Sequence, residues 1–206
     1  VTASGGNGLY GYSWDDPGAQ TGATATGLVA GTYVAIVTDN VGCIGTDVVV
    51  VTEPTALVAS MVSNNATCFA ACDGDATVSP SGGTSPYTYV WTDPSAHTTA
   101  MATGLCAGSY DVAVTDANGC IDSSSVVITE PAQLTATLSG STNVTCNGAC
   151  DGSANVAAGG GTGAYTYLWD DPSSQSTSTA TGLCAGSYLV NVTDNNACST
   201  SDTIVI

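Results

Sequence analysis

The chain repeats itself, and the repeat sets the size of whatever it folds into. Trp14, Trp91 and Trp169 stand 77 and 78 residues apart, as do Tyr33, Tyr110 and Tyr188, and Cys43, Cys120 and Cys198. A period of this length calls for one supersecondary unit built several times, so it overrules the one or two domains that 206 residues alone suggest. The expected division is a partial repeat over residues 1–54 without its N-terminal strands, a complete repeat over 55–131, and a repeat over 132–206 truncated at its C-terminal end. That is about two and two-thirds copies of one module.

Inside each copy the apolar period is two. Tyr87, Tyr89 and Trp91 alternate with Thr88 and Val90, and Tyr110, Val112 and Val114 alternate with Asp111, Ala113 and Thr115, which places one face of each strand in a core and the other in water. Asn118-Gly119 between two such runs signals a hairpin. Helical periodicity is missing. About seven short strands in under 80 residues, separated by frequent turn signals, predict tandem immunoglobulin-like β-sandwich modules arranged like beads on a string. The Leu-x-Ala-Gly-x-Tyr blocks ending at Tyr33, Tyr110 and Tyr188 predict tyrosine corners, and Trp14, Trp91 and Trp169 central core positions.

A module this small buries little apolar surface, so the nine cysteines of the chain gain weight. Zinc sites need Cys-x-x-Cys pairs or ligand histidines that the chain does not have, which leaves disulfides and an oxidising compartment. Each of the two later copies has four cysteines, and four allow three pairings. The first copy discriminates among them, because it keeps Cys43 while Val29 stands where Cys106 would be. A cysteine that survives without its neighbour is not paired to it, and a Cys68–Cys72 bridge would close a very small loop. The expected bridges are therefore Cys68–Cys120, Cys72–Cys106, Cys146–Cys198 and Cys150–Cys184, with Cys43 unpaired among these residues.

Charge excludes whole classes of function. Lys and Arg are absent, against 15 Asp and 2 Glu, for a formal net charge of -17. Nucleic-acid affinity rests on cations that displace counterions from phosphate, and none is available; an anionic membrane repels the chain for the same reason. No apolar run is long enough to span a membrane. Without Lys there is no Schiff-base chemistry, and without a Gly-x-Ser-x-Gly nucleophile motif the lone His97 completes no hydrolase triad. His97 reads as a solvated loop residue with no counterpart at Ala19/Gln20 or Ser174/Gln175.

The candidate sites that remain are modest. Asp39, Asp116 and Asp194 recur before the late hairpin, and loop carboxylates are Ca²⁺ ligands, so Ca²⁺ is the one cofactor the pattern suggests, against the plainer reading of turn capping. The Tyr-x-Tyr-x-Trp stripe would be a sugar platform if it faced outward, although its spacing suits a core strand. Asn65, Asn143 and Asn191 fit the N-glycosylation pattern, and Thr203 offers an O-linked position.

Written as Cys-x-x-x-Cys-Asp-Gly, Gly-Gly-x-x-x-Tyr-x-Tyr-x-Trp, Gly-Leu-x-Ala-Gly-x-Tyr and Thr-Asp-x-x-x-Cys, closing on Thr-Glu-Pro, the unit resembles the SprB repeat of large secreted surface adhesins of gliding bacteria. The first copy departs from it at Val29 and in having no front cysteines. The resemblance implies an extracellular, cell-surface array without catalytic residues, whose partners are neighbouring repeats of the same chain. The leading expectation is a non-enzymatic, disulfide-stapled spacer stalk in a surface adhesin. A self-assembling extracellular filament or sheath subunit, made of further copies, is the alternative, and a carbohydrate-binding module that engages surface glycans is the second.

Overall fold

The computed structural model describes all residues, Val1–Ile206, and is all-β, with fifteen strands and no α-helix. It divides into two compact units, Val1–Ala56 and Leu57–Ile206.

The first unit holds a single antiparallel sheet of β1 (Gly11–Trp14), β2 (Gly31–Thr38) and β3 (Ile44–Val51), in that order. Alternation selects its buried face: Trp14, Tyr33 and Ala35 are buried, with Val1, Ala25, Leu28, Val49 and Val51 packed against them. Register places Trp14 opposite Ala35 and Tyr33 opposite Val49.

The second unit contains two sandwiches. In the first, β4 (Val58–Asn64), β5 (Gly74–Ser81) and β7 (Met101–Leu105) form one sheet, and β6 (Thr88–Trp91), β8 (Gly108–Thr115) and β9 (Ile121–Ile128) the other. The next sandwich repeats the plan with β10 (Thr135–Thr142), β11 (Gly152–Gly159) and β13 (Thr179–Leu183) in one sheet, and β12 (Thr166–Trp169), β14 (Ser187–Thr193) and β15 (Ser199–Val205) in the other. Every pairing is antiparallel. These orders correspond to the A-B-E and C-F-G sheets of the immunoglobulin fold. Each sandwich therefore has six strands rather than seven, because the segment between β6 and β7, and its counterpart between β12 and β13, is folded around an aspartate instead of paired as a fourth strand.

The cores follow from the alternation. Ala76, Val78, Trp91, Ala102, Leu105, Tyr110, Val112, Val114 and Ile128 form the first, and Ala154, Val156, Trp169, Ala180, Leu183, Val190, Val192 and Ile204 the second. Each tryptophan lies opposite a valine across its sheet, Trp91 by Val112 and Trp169 by Val190. The facing sheets meet this large side chain with the small pairs Ala76–Ala102 and Ala154–Ala180. Large against small is how two layers interdigitate without voids. Each indole N–H donates to a backbone carbonyl eight residues on: Gly22, Thr99 and Thr177, at 2.9 Å in every copy. No buried side-chain nitrogen or oxygen is left without a partner.

Candidate functional site: the aspartate loops and the bridged junction

The loops are built on carboxylates. Asp16, Asp93 and Asp171 are buried at 7%, 5% and 4% exposure. Each accepts the backbone N–H groups two and four residues ahead: Gly18 and Gln20, Ser95 and His97, Ser173 and Gln175. Two converging N–H donors favour the ionised form. For Asp16 the Gln20 side-chain amide is the main cause, aided by the Gln20 and Gly18 backbone N–H groups, and its carboxyl lies below the ordinary value. At Asp93 and Asp171 burial is the largest influence and pushes upward, but the combined hydrogen bonds outweigh it and the net shift is again downward.

This arrangement revises the reading of His97. Its Nδ1 lies 2.8 Å from Asp93 Oδ2, where Gln20 Nε2 meets Asp16 Oδ2 and Gln175 Nε2 meets Asp171 Oδ2, both at 3.0 Å. Gln20 and Gln175 are thus its counterparts, and His97 is a part-buried loop fastener. Sequence comparison missed this because the role is carried by different residue types; the shared signal is the position four residues after the buried Asp.

Asp39, Asp116 and Asp194 tie the late hairpin to the glycine-rich turn. Asp116 accepts from Asn118 and Cys120 in its own turn through Oδ1, and from Thr84 N at 2.8 Å through Oδ2. Asp194 does the same with Asn196, Cys198 and Thr162, and Asp39 with Val41, Cys43 and Asn7. The Gly-Gly element is explained here: at Gly83, which has φ +61°, a Cβ would fall 2.9 Å from Asp116 Oδ2. Hydrogen bonding lowers the Asp39 carboxyl, the Cys43 N–H contributing most. At Asp116 burial is the leading influence and opposes the downward shift that hydrogen bonds from Cys120, Thr84 and Asn118 impose. The Ca²⁺ expectation meets a physical obstacle in this geometry, because each carboxylate already accepts three backbone N–H donors, which occupy most of its lone pairs. No group of three or more His, Cys, Asp or Glu side chains that could hold a metal ion is present.

The predicted corner tyrosines donate to the carbonyl four residues upstream, Tyr33 to Val29, Tyr110 to Cys106 and Tyr188 to Cys184, at 3.0–3.1 Å. The Tyr-x-Tyr-x-Trp stripe faces the core: Tyr87 and Tyr89 pack half-buried against it, and Tyr87 Oη donates to the Gly82 carbonyl. Asn65, Asn143, Asn191 and Thr203 are exposed. Asn65 Oδ1 also accepts the Thr129 N–H at 3.0 Å.

The cysteines depart from expectation in one respect that matters. Cys72 is bonded to Cys106 and Cys150 to Cys184, each across 34 residues. Cys68, however, is bonded to Cys198 across 130 residues, so the expected Cys68–Cys120 and Cys146–Cys198 bridges are replaced by one bond that joins the two sandwiches. Cys120 and Cys146 are free and exposed, as is Cys43. The bond forms where the front loop of one sandwich meets the late hairpin of the next. Asp73 fixes that front loop: it accepts the Thr67 N–H at 3.0 Å and the Thr67 hydroxyl, and the latter is the main cause of its lowered pKa. Asp151 holds Thr145 the same way. Glu130 accepts the Ala70 N–H at 2.7 Å and thereby holds the same loop. Across the junction Asn196 Nδ2 donates to the Thr67 carbonyl at 2.8 Å. A groove lined by Phe69, Leu134, Gly161 and the two bridged cysteines runs beside it.

No curated protein matches the chain. Among solved structures, it is similar to the three N-terminal domains of the highly immunogenic outer capsid protein of bacteriophage RB49 (TM-score 0.43, 23% identity, 73% of this chain and 59% of that one). It is also similar to the eight N-terminal Ig domains of the Down syndrome cell adhesion molecule (TM-score 0.41, 12% identity, 96% and 31%). The chain thus spans less than two thirds of either. The family model described as SprB repeat matches residues 60–96 and 134–174, the corresponding stretches of the two sandwiches. The two matched stretches fall one in each sandwich of the second unit, so the chain is similar to the SprB repeat at two places.

Proposed function

We propose that this chain is a segment of a non-enzymatic extracellular array, organised as repeats 1–54, 55–131 and 132–206, that serves as a spacer stalk in a surface adhesin. One observation carries the reading: consecutive sandwiches are joined by the Cys68–Cys198 bond and the Asn196–Thr67 hydrogen bond, which restrict their relative motion as a stalk requires. Three disulfides support the oxidising, extracellular setting of this reading. No helix is long and apolar enough to cross a membrane. A charge of -17 without any Lys or Arg keeps neighbouring stalks apart and removes every trypsin site. The polar loops are occupied with their own backbone, and the aromatic stripe faces inward, which weighs against the glycan-binding alternative.

The test is a graded deletion in the polypeptide that carries these repeats, with surface display followed by antibody on intact cells. A spacer loses reach in proportion to the repeats removed while display is kept. Abrupt loss of adhesion on removing one particular repeat would favour recognition instead, and a glycan array would then name the ligand. A self-assembling filament is the second reading, favoured by the three exposed thiols; a monomer at every concentration under oxidising conditions removes it.

A further inference from the structure

The free cysteines are not scattered. Cys43 and Cys120 occupy the repeat position of Cys198, and Cys146 that of Cys68, so each is the equivalent of one member of the bond that joins the two sandwiches. Bonded Cys68 and Cys198 are half-buried, whereas Cys43, Cys120 and Cys146 are exposed. A second observation points to the same missing neighbour. Asn196 Nδ2 makes two hydrogen bonds, one to Thr162 Oγ1 in its own sandwich and one to the Thr67 carbonyl of the preceding one. Its equivalent Asn118 makes the first of these, to Thr84 Oγ1 at 2.9 Å, and has no partner for the second. On the other side, Thr145 and Asp151 hold the front loop around Cys146 in the arrangement that Thr67 and Asp73 give the loop around Cys68. Both halves of the junction are therefore preformed where nothing is bonded to them.

We propose that the front cysteine of each repeat is bonded to the late cysteine of the repeat that follows, so that a continuous ladder of inter-repeat disulfides runs along the array. Cys146 takes the late cysteine of a following repeat. Cys120 takes the front cysteine of the repeat to which residues 1–54 belong, and Cys43 that of the repeat before it. The proposal rests on the tandem-array reading and adds a modification state for three thiols. Formation needs a two-electron oxidant, which is a small-molecule disulfide or an oxidised dithiol protein. One cysteine thiolate attacks that disulfide and forms a mixed disulfide, releasing one thiol. The partner thiolate then displaces the second. Two protein thiols and one external disulfide become one protein disulfide and two external thiols, with protons and electrons balanced.

The test extends the full chain in register: a second copy of residues 129–206 is joined after Ile206, which supplies one further repeat. Parent and extended chains are refolded in a glutathione redox buffer, alkylated and cleaved with an Asp-specific protease or chymotrypsin for disulfide mapping. In the parent, Cys43, Cys120 and Cys146 are expected to be alkylated and Cys68 joined to Cys198. In the extended chain, alkylation of Cys146 is expected to fall to near nothing. Cys146 is then found joined to the appended copy of Cys198, and the appended copy of Cys146 becomes the alkylated thiol. The ladder is overturned if Cys146 stays alkylated while the appended copies of Cys146 and Cys198 join each other, or if Cys146 is linked only between separate chains in a concentration-dependent way. If the parent keeps Cys68–Cys198 and the extended chain gives either result, the ladder fails and the stalk reading stands.

Discussion

Units 1–56 and 57–206 use the same sheet to different depth. β1-β2-β3 repeats β6-β8-β9 in order, register and aromatic pattern, yet it stands as one layer, whereas its counterparts face a second sheet. The difference shows in the tryptophans, 8% exposed at Trp14 against 3% at Trp91 and 1% at Trp169, and in Val37, only half-buried where Val114 is fully buried. The indole hydrogen bond, the tyrosine hydrogen bond and the aspartate loops are present in both units. Local motifs therefore fold the strands and turns, while closure of the core belongs to the facing sheet and its staples.

Reduction should break the comparison most sharply. In the chain-entropy picture each 34-residue bridge stabilises its sandwich by about 4 kcal/mol. Dithiothreitol should accordingly lower the denaturant midpoint of the 57–206 transition and leave that of 1–56 unchanged, followed by NMR signals resolved for each unit of the unaltered chain. A shift of both would show that the first unit depends on the second.

Core truncation comes next. Trp91→Ala removes a side chain enclosed by two sheets and should cost about 3–5 kcal/mol, whereas Trp14→Ala, whose cluster is completed by Val1, Ala25 and Leu28 in place of a second sheet, should cost about 2 kcal/mol. Equal losses in urea titrations would contradict the one-layer description. Glycines offer a finer probe. A Cβ at Gly74 would lie 2.8 Å from Ile128 Cγ2 and 2.9 Å from the Leu105 carbonyl, so Gly74→Ala should destabilise by about 1–3 kcal/mol. At Gly45 nothing lies within 4 Å, and Gly45→Ala should be neutral or stabilising by about 0.4–1 kcal/mol.

The smallest expected effect is at His97. Gln20 and Gln175 also bond the backbone of Thr26 and Thr181, both donating and accepting, and His97 does not. His97→Gln should restore those bonds and stabilise the first sandwich by about 1 kcal/mol, read as a rise in its thermal midpoint. A fall would assign His97 a role that Gln cannot take.

Strand positions were legible because period-two alternation and turn residues are local. The two-sheet division was legible because Tyr, Trp and Val recur with one spacing. The strand count was over-read by one because it came from module length and turn signals, while the conformation of the segment after Asp93 is set by the Asp93 carboxylate and the positive φ of Ala96. The junction was not legible for a deeper reason. In a repeat, a bond from one copy to itself and a bond from one copy to the next involve the same two sequence positions, so eliminating pairings among Cys68, Cys72, Cys106 and Cys120 treated as a closed set cannot tell them apart. The aligned pairs Asn118/Asn196 and Thr67/Thr145 were the available signal, and they speak of contact only once the copies are placed side by side.

The Cys68–Cys198 bond also changes how the polypeptide would respond to mechanical load. Tension entering along the main chain at Cys68 can leave at Cys198 through two sulfur atoms, which shunts it past the stretch between them, a sequence separation of 130. That stretch, about 450 Å long if drawn out, is withheld from extension for as long as the covalent bypass is intact. Under pull, the segment between Cys68 and Cys198 would therefore lengthen only after that bond breaks, whereas residues 1–56, which carry no bridge, would unravel without any covalent rupture.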